Sequence, residues 1–197
     1  GISLSKNQIN YCKKKAKEVG LDNQVSFELV DYREIKGVYD KIYSVGMFEH
    51  VGRKFYNKFF KSINKLLKKD GSFLLHTIGV VDRPTPPNKF INRYIFPGGI
   101  CPSLSQITKS IEKTGLIVSD TETLIRHYDK TLLSWLERFN AKKDLVKDMF
   151  DEKFVKMWSF YLASCAAAFR YRDLVVFQLQ IVKNFDSAHP TRDYIYS

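Results

Sequence analysis

An α/β fold, a parallel sheet flanked by helices, is what this sequence predicts, and three observations carry the prediction. Tyr39–Val45 and residues 72–78, 116–124 and 174–182 are short apolar, β-prone runs bounded by glycine or polar turns. The segments between them repeat their apolar residues at helical spacing. From the start of the chain the order is helix, strand, strand, helix, strand, the rhythm of a sheet with crossover helices.

Ser5 is a helix cap, and residues 6–19 place Ile9, Cys12 and Ala16 on one face before Gly20 ends the helix. Residues 25–30 alternate as a strand and lead into Asp31-Tyr32-Arg33-Glu34. Tyr39–Val45 reads as a short buried strand that stops in a polar turn at Gly46, where the missing side chain frees the backbone to bend. Residues 53–69 form an amphipathic helix with Phe55, Phe59, Ile63 and Leu66 inward, and Asp70-Gly71 ends it. The strand 72–78 is broken only by His76 and Thr77.

Residues 81–102 read as a loop, carrying Pro84, Pro86, Pro87, Pro97, Pro102 and the pair Gly98-Gly99. A connection this long inside a domain is commonly a lid, and Phe90, Tyr94 and Phe96 predict that it packs over something apolar. Ser103 caps a helix to Thr114, and a strand follows. His127-Tyr128-Asp129 opens a helix carrying Leu132, Leu133, Trp135, Leu136 and Phe139. A second long helix, 151–169, is rich in aromatic and small residues, and 174–182 is the last strand. The end of the chain, 184–197, reads as a polar, poorly ordered tail.

Composition narrows the partners. Of the 197 residues 44% are hydrophobic and 14% aromatic, as in a folded chain. No run approaches the ~18 apolar residues of a membrane span. The three cysteines, Cys12, Cys101 and Cys165, have no paired spacing, which argues against a disulfide framework and a zinc site and suits a reducing cytoplasm. The net charge is +11, without a nucleic-acid motif or a basic stripe interleaved with stacking aromatics. An anionic membrane surface therefore fits the charge better than nucleic acid does, beside the plain reading of lysines as solvated surface.

Four polar side chains stand where burial is expected: Glu49 after the strand end, His76 within an apolar strand, Tyr128 at a helix start and Cys165 on an apolar helix. In open α/β sheets ligands bind outside the carboxyl ends of strands. Glu49 also suits the first turn of a helix as a simple dipole partner, His76 suits a satisfied core position, and a buried cysteine is ordinarily inert packing. Glu, His and Tyr converging without a nucleophile would hold a small anion or transfer a proton.

Several segments, in order, resemble the cyclopropane-fatty-acyl-phospholipid synthases and their mycolic-acid relatives. They are Gly1-Ile2-Ser3-Leu4-Ser5-Lys6-Asn7-Gln8, Ser44-Val45-Gly46-Met47-Phe48-Glu49-His50-Val51-Gly52, Leu74-Leu75-His76-Thr77-Ile78-Gly79 and Tyr94-Ile95-Phe96-Pro97-Gly98-Gly99. Tyr128-Asp129-Lys130-Thr131-Leu132, Trp135-Leu136-Glu137-Arg138-Phe139 and Cys165-Ala166-Ala167-Ala168-Phe169-Arg170 continue the series. The resemblance implies a class I S-adenosylmethionine-dependent methyltransferase fold, with residues 1–183 as the C-terminal part of the catalytic domain and a tail at 184–197. It implies methylene transfer from S-adenosyl-L-methionine to the cis double bond of an unsaturated phospholipid acyl chain, through a carbocation whose proton goes to bound bicarbonate. By motif, Glu49, His76, Tyr128 and the Ile78 amide match the bicarbonate ligands. Cys165 matches the cysteine assigned to the active site, although alanine neighbours do not lower a thiol pKa, and a wall of the lipid tunnel is the role it suits. Ser3, Leu4, Ser5, Gln8, Tyr32 and Arg33 match the cofactor-binding residues.

The resemblance further implies a cytoplasmic protein, peripheral on the inner face of the membrane. The family's glycine-rich turn and first strands would precede Gly1, so the expectation is a truncated sheet with helical lid insertions, open edges that favour a homo-oligomer, and no activity in isolation. Alternatives are a lipid C-methyltransferase making a branched or oxygenated product, against which Glu49 weighs, and a non-catalytic lipid-binding scaffold.

Overall fold

Strands β3 (Tyr39–Val45) and β4 (Leu67–Val80) advance side by side in the same direction. Lys41 Nζ reaches Ser72 Oγ at 3.0 Å, and five residues on the Gly46 amide donates to the His76 carbonyl at 3.2 Å. Two more strands complete a four-stranded sheet in the order β3-β4-β6-β5, with β5 at Ile117–Leu124 and β6 at Leu174–Val182. The structure, a computed structural model, describes residues 1–86 and 88–196. Pro87 of the proline-rich connection and Ser197 of the tail lie outside the described residues. The chain divides into two units, Gly1–Tyr39 and Asp40–Ser197.

In the first unit β1 (Ile2–Ser3) pairs in parallel with β2 (Glu28–Leu29) around helix α1 (Lys6–Glu18). Ser5 caps α1 as expected, its side chain accepting from the Gln8 amide, and Ile9 and Ala16 are buried. The strand expected at 25–30 shrinks to two residues because β1 offers only two partners.

The larger unit holds the main core. Helix α2 (Tyr56–Leu66) buries Phe59, Phe60, Ile63 and Leu66 against one sheet face, where Phe59 meets Phe73. Phe55 does not turn inward as the periodicity suggested. It lies in a single 3-10 turn ahead of the helix and is 51% exposed. Nor does the helix run on through Lys69. Residues from Leu67 onward are strand, held by Lys68 to Asp40 at 2.8 Å, Lys183 Nζ to the Leu67 carbonyl and Asn184 to the Lys69 carbonyl, both at 2.7 Å. These long-range partners override the helical spacing of the lysines.

The sheet is mixed rather than parallel: β6 runs antiparallel to both β4 and β5. Helices α5 (His127–Asn140), α6 (Lys143–Met149) and α7 (Glu152–Tyr171) connect β5 to β6. Tyr128 at the start of α5 stacks on Phe169 near the end of α7, and Asp129 pairs with Arg170 at 2.8 Å. The chain thus goes out along α5 and returns along α7 to the end of the sheet it left, so β6 must run back. Strand β3 is not buried either. It is the edge of the sheet, and Tyr39, Tyr43 and Val45 are exposed.

The connection 81–102 contains α3 (Lys89–Tyr94), capped by the Asn88 side chain, and it does cover apolar surface: Phe90 meets Phe160 and Phe96 meets Tyr161, both edge-on. Ser103 caps α4 (Leu104–Glu112) with a capping box. The tail carries two single 3-10 turns and is tied to the sheet, Arg192 to Asp120 at 2.8 Å and Tyr194 to Gln180 at 2.6 Å. Its polar composition is used for hydrogen bonds to a polar stretch of sheet.

Candidate active site

Glu49 lies on a single 3-10 turn, Phe48–His50, directly after β3 and the bend at Gly46. The turn is pinned by Phe48, which is fully buried and stacks on Tyr56 with ring centroids 4.4 Å apart. With Phe48 anchored, the adjacent carboxylate is carried inward and is only 8% exposed. β3 has ended by this level, so the β4 amide of Ile78 is free on that side and donates to Glu49 Oε1 at 2.7 Å. The Ile100 amide donates to the Glu49 carbonyl at 2.9 Å, tying the turn to the aromatic connection. Glu49 Oε2 is buried with no hydrogen-bond partner among the described residues. A carboxylate oxygen in that position calls for a donor, since leaving it bare costs ~1–3 kcal/mol or more for a charged group.

Beyond Ile78 lies an apolar cluster on the second sheet face, built of Leu132, Tyr161, Leu162, Ala166, Phe169 and Val176, against which Ile78, Tyr128 and Cys165 pack. Burial pushes the Cys165 thiol up to about 11 and the Tyr161 hydroxyl up to about 12, the latter with added influence from Cys165 and Tyr128. Cys165 is accordingly a neutral thiol. Asp129 is 5% exposed and engages Arg170, which fixes the start of α5 and with it the Tyr128 backbone.

His76 takes a different partner. Its Nδ1 lies 2.9 Å from Gln178 Oε1 on the neighbouring strand, and Gln178 Nε2 donates to Glu122 Oε2 at 2.7 Å. Glu49 and Ile78 are therefore joined directly, and Ile78, Tyr128 and Cys165 share one cluster. The imidazole stands two residues before Ile78 on β4, engaged from the β6 side.

The expected cofactor residues are in the first unit. Ser3 Oγ donates to Gln8 Oε1 at 2.7 Å and accepts from the Ser5 amide at 3.1 Å, so Ser3, Ser5 and Gln8 form one polar knot at the α1 N-terminus. Leu4 beside them is exposed. Tyr32 is half-buried, which raises its hydroxyl pKa, and Arg33 forks onto Asp31 at 2.8 and 2.6 Å.

Sequence reasoning missed Cys101, Tyr56 and Gln178. Burial pushes the Cys101 thiol up to about 12, with Glu49 and then Cys165 adding to the shift. Burial likewise carries Tyr56 to about 12, against the pull of Arg53 and with Cys101 and Glu49 raising it further. Both groups thus feel the charge of the Glu49 carboxylate. Gln178 had a readable signal, a polar side chain inside an apolar strand, the same signal that marked His76.

A family model described as mycolic acid cyclopropane synthetase matches residues 1–179. The chain belongs to that family. Among its relatives, the cyclopropane-fatty-acyl-phospholipid synthase of Escherichia coli (strain K12) is 40% identical over 91% of this chain and 46% of its own length. A probable fatty acid methyltransferase of Pseudomonas putida is 36% identical over 96% of this chain and 50% of its own. The chain therefore spans about half the length of the curated relatives it matches. The solved cyclopropane synthase MmaA2 from Mycobacterium tuberculosis matches 92% of this chain, and 68% of its own, with a TM-score of 0.84 and 30% identity. The mycolic acid cyclopropane synthase CmaA1, solved in complex with SAH and CTAB, gives 0.83 and 32% over the same shares. The α/β sheet described above is the S-adenosylmethionine-dependent methyltransferase fold of this family. Among the described residues no helix is long and apolar enough to cross a membrane.

Proposed function

We propose that this protein is a lipid methyltransferase that closes a cyclopropane ring across the cis double bond of an unsaturated phospholipid acyl chain. The observation that carries the proposal is the buried Glu49 carboxylate, half-satisfied by the Ile78 amide, at the border of an aromatic-lined apolar cluster. The transferred methyl bonds to one alkene carbon and leaves a cation on its neighbour; loss of a proton from the new carbon lets the ring close. A cation in such a place needs aromatic faces and no water, and Phe96, Tyr128, Trp158 and Tyr161 are the faces available, at ~2 kcal/mol or more per desolvated contact.

S-adenosyl-L-methionine, when bound, supplies the electrophilic methyl. Ser3, Leu4, Ser5 and Gln8, with Tyr32 and Arg33, would hold it: the hydroxyl–amide knot at the α1 N-terminus suits a polar amino-acid moiety, and half-buried Tyr32 suits a flat base. Bicarbonate fits the unpartnered Glu49 Oε2, to which its hydroxyl would donate, and would supply the base. Glu49, His76 and Tyr128 would orient that anion, and the Ile78 amide fixes the Glu49 carboxylate. Cys165, a half-buried neutral thiol, walls the lipid path.

The +11 charge would draw the protein to anionic headgroups on the cytoplasmic face of a membrane, at ~1 kcal/mol per nearby basic residue. The open edge of β3 favours self-association. The test incubates the intact gene product with vesicles of cis-unsaturated phospholipid and S-adenosyl-L-methionine. A mass gain of one methylene with the proton resonances of a cyclopropane is the expected result. A methyl-branched or oxygenated product, or no product, overturns the reading.

A further inference from the structure

One row of side chains crosses three strands on the sheet face that carries the apolar cluster. The register sets His76 of β4 opposite Gln178 of β6, and Gln178 opposite Glu122 of β5. The adjacent row, Ile78, Val176 and Leu124, is the apolar floor under α5 and α7. The polar row is linked by hydrogen bonds, His76 Nδ1 to Gln178 Oε1 at 2.9 Å and Gln178 Nε2 to Glu122 Oε2 at 2.7 Å.

The chemistry of the far end fixes the near end. A carboxylate only accepts, so the Gln178 amide must turn its NH2 towards Glu122. Its oxygen then faces His76, and an amide oxygen only accepts, so a neutral His76 must carry its proton on Nδ1. The bare Nε2 is left as a hydrogen-bond acceptor. The geometry points to Gln178 and Glu122 as positioning residues that hold His76 as the Nδ1–H tautomer and present an unprotonated Nε2. This inference rests on the proposed reaction only for its use: a histidine so held accepts from a water beside the bound anion, whose one hydroxyl goes to Glu49, and gives it no proton.

The test reads the tautomer directly, without cofactor or lipid. Long-range 1H–15N correlation spectra of the 15N-labelled 197-residue chain are recorded at rising pH until the ring-nitrogen resonances no longer move, the plateau of the neutral ring. His76 is assigned by its loss in His76→Gln. The expected wild-type spectrum has the protonated-nitrogen resonance at Nδ1. In Gln178→Leu the two ring resonances should move towards the Nε2–H pattern ordinary for imidazole in water. Glu122→Ala, at an exposed position that leaves the core intact, should move them part of the way, because the amide is then free to flip. An Nε2–H ring in the wild type, or an unmoved ring in both variants, overturns the inference. These spectra do not depend on which lipid reaction occurs, and the vesicle assay does not depend on them, so either reading can fail alone.

Discussion

The Ile78 amide and the Glu49 carboxylate, 29 residues apart in sequence, meet at 2.7 Å where β3 ends and β4 continues. One oxygen of the carboxylate is thereby fixed in place, and the other is left buried without a partner. Glu49→Gln keeps the shape and, with its amide oxygen turned to the Ile78 amide, replaces the second oxygen with an NH2. In the intact gene product turnover should fall by about 100-fold or more, the scale on which positioned proton-transfer groups act, while S-adenosyl-L-methionine affinity by calorimetry changes little. Unchanged turnover would remove Glu49 from the chemistry.

The thiols predict a pH profile. Burial raises Cys165 from 9.0 to about 11 and Cys101 to about 12. Only the thiolate reacts, so near pH 8 Cys165 should be alkylated on the order of 100-fold more slowly than a free thiol, and Cys101 more slowly still. Each raised pKa also means that the fold favours the neutral group. That contribution is present below pH 9 and is lost as pH rises towards about 11 and 12, so the protein should lose stability through this alkaline window. Mass spectrometry after timed alkylation at several pH values checks the order. Rapid labelling of Cys165 at pH 8 would contradict its raised pKa.

Gly79 is a packing requirement of the sheet beside the site. A β-carbon there would stand 2.7 Å from the Pro102 carbonyl oxygen and would press into the Phe177 ring. The backbone at this point also takes the Val80 amide to the Pro102 carbonyl at 2.9 Å, so neither neighbour has room to yield. Gly79→Ala should destabilise the protein by about 1–3 kcal/mol, as overpacking does, measured by urea titration. A neutral effect would mean that the 102–103 segment moves freely.

Much of this molecule was readable before its folding. Tyr39–Val45 and Leu174–Val182 are strands to the residue, because β-prone residues bounded by turns favour an extended segment whether or not it is buried. Ser5 and Ser103 mark helix starts because capping residues satisfy free amides there. Misreadings occurred where distant partners outweighed local pattern. Residues from Leu67 look like the end of a lysine-rich helix but are strand, since Asp40, Lys183 and Asn184 hold them. The burial expected for β3 failed for a similar reason: apolar residues announce a strand, whereas exposure depends on which strands lie beside it.

For the site the same division holds. Residue types alone determined the α/β class and singled out Glu49, His76, Tyr128 and Cys165, and the ordered motifs determined the family. Only the tertiary structure decided that the Ile78 amide is spent on Glu49, that the charge of that carboxylate reaches Cys101 and Tyr56, and that His76 is held through Gln178 by Glu122. The physical reason is register. Which side chains share a row depends on how strands align across gaps of roughly fifty to a hundred residues, and that alignment is set by the packing of the whole core.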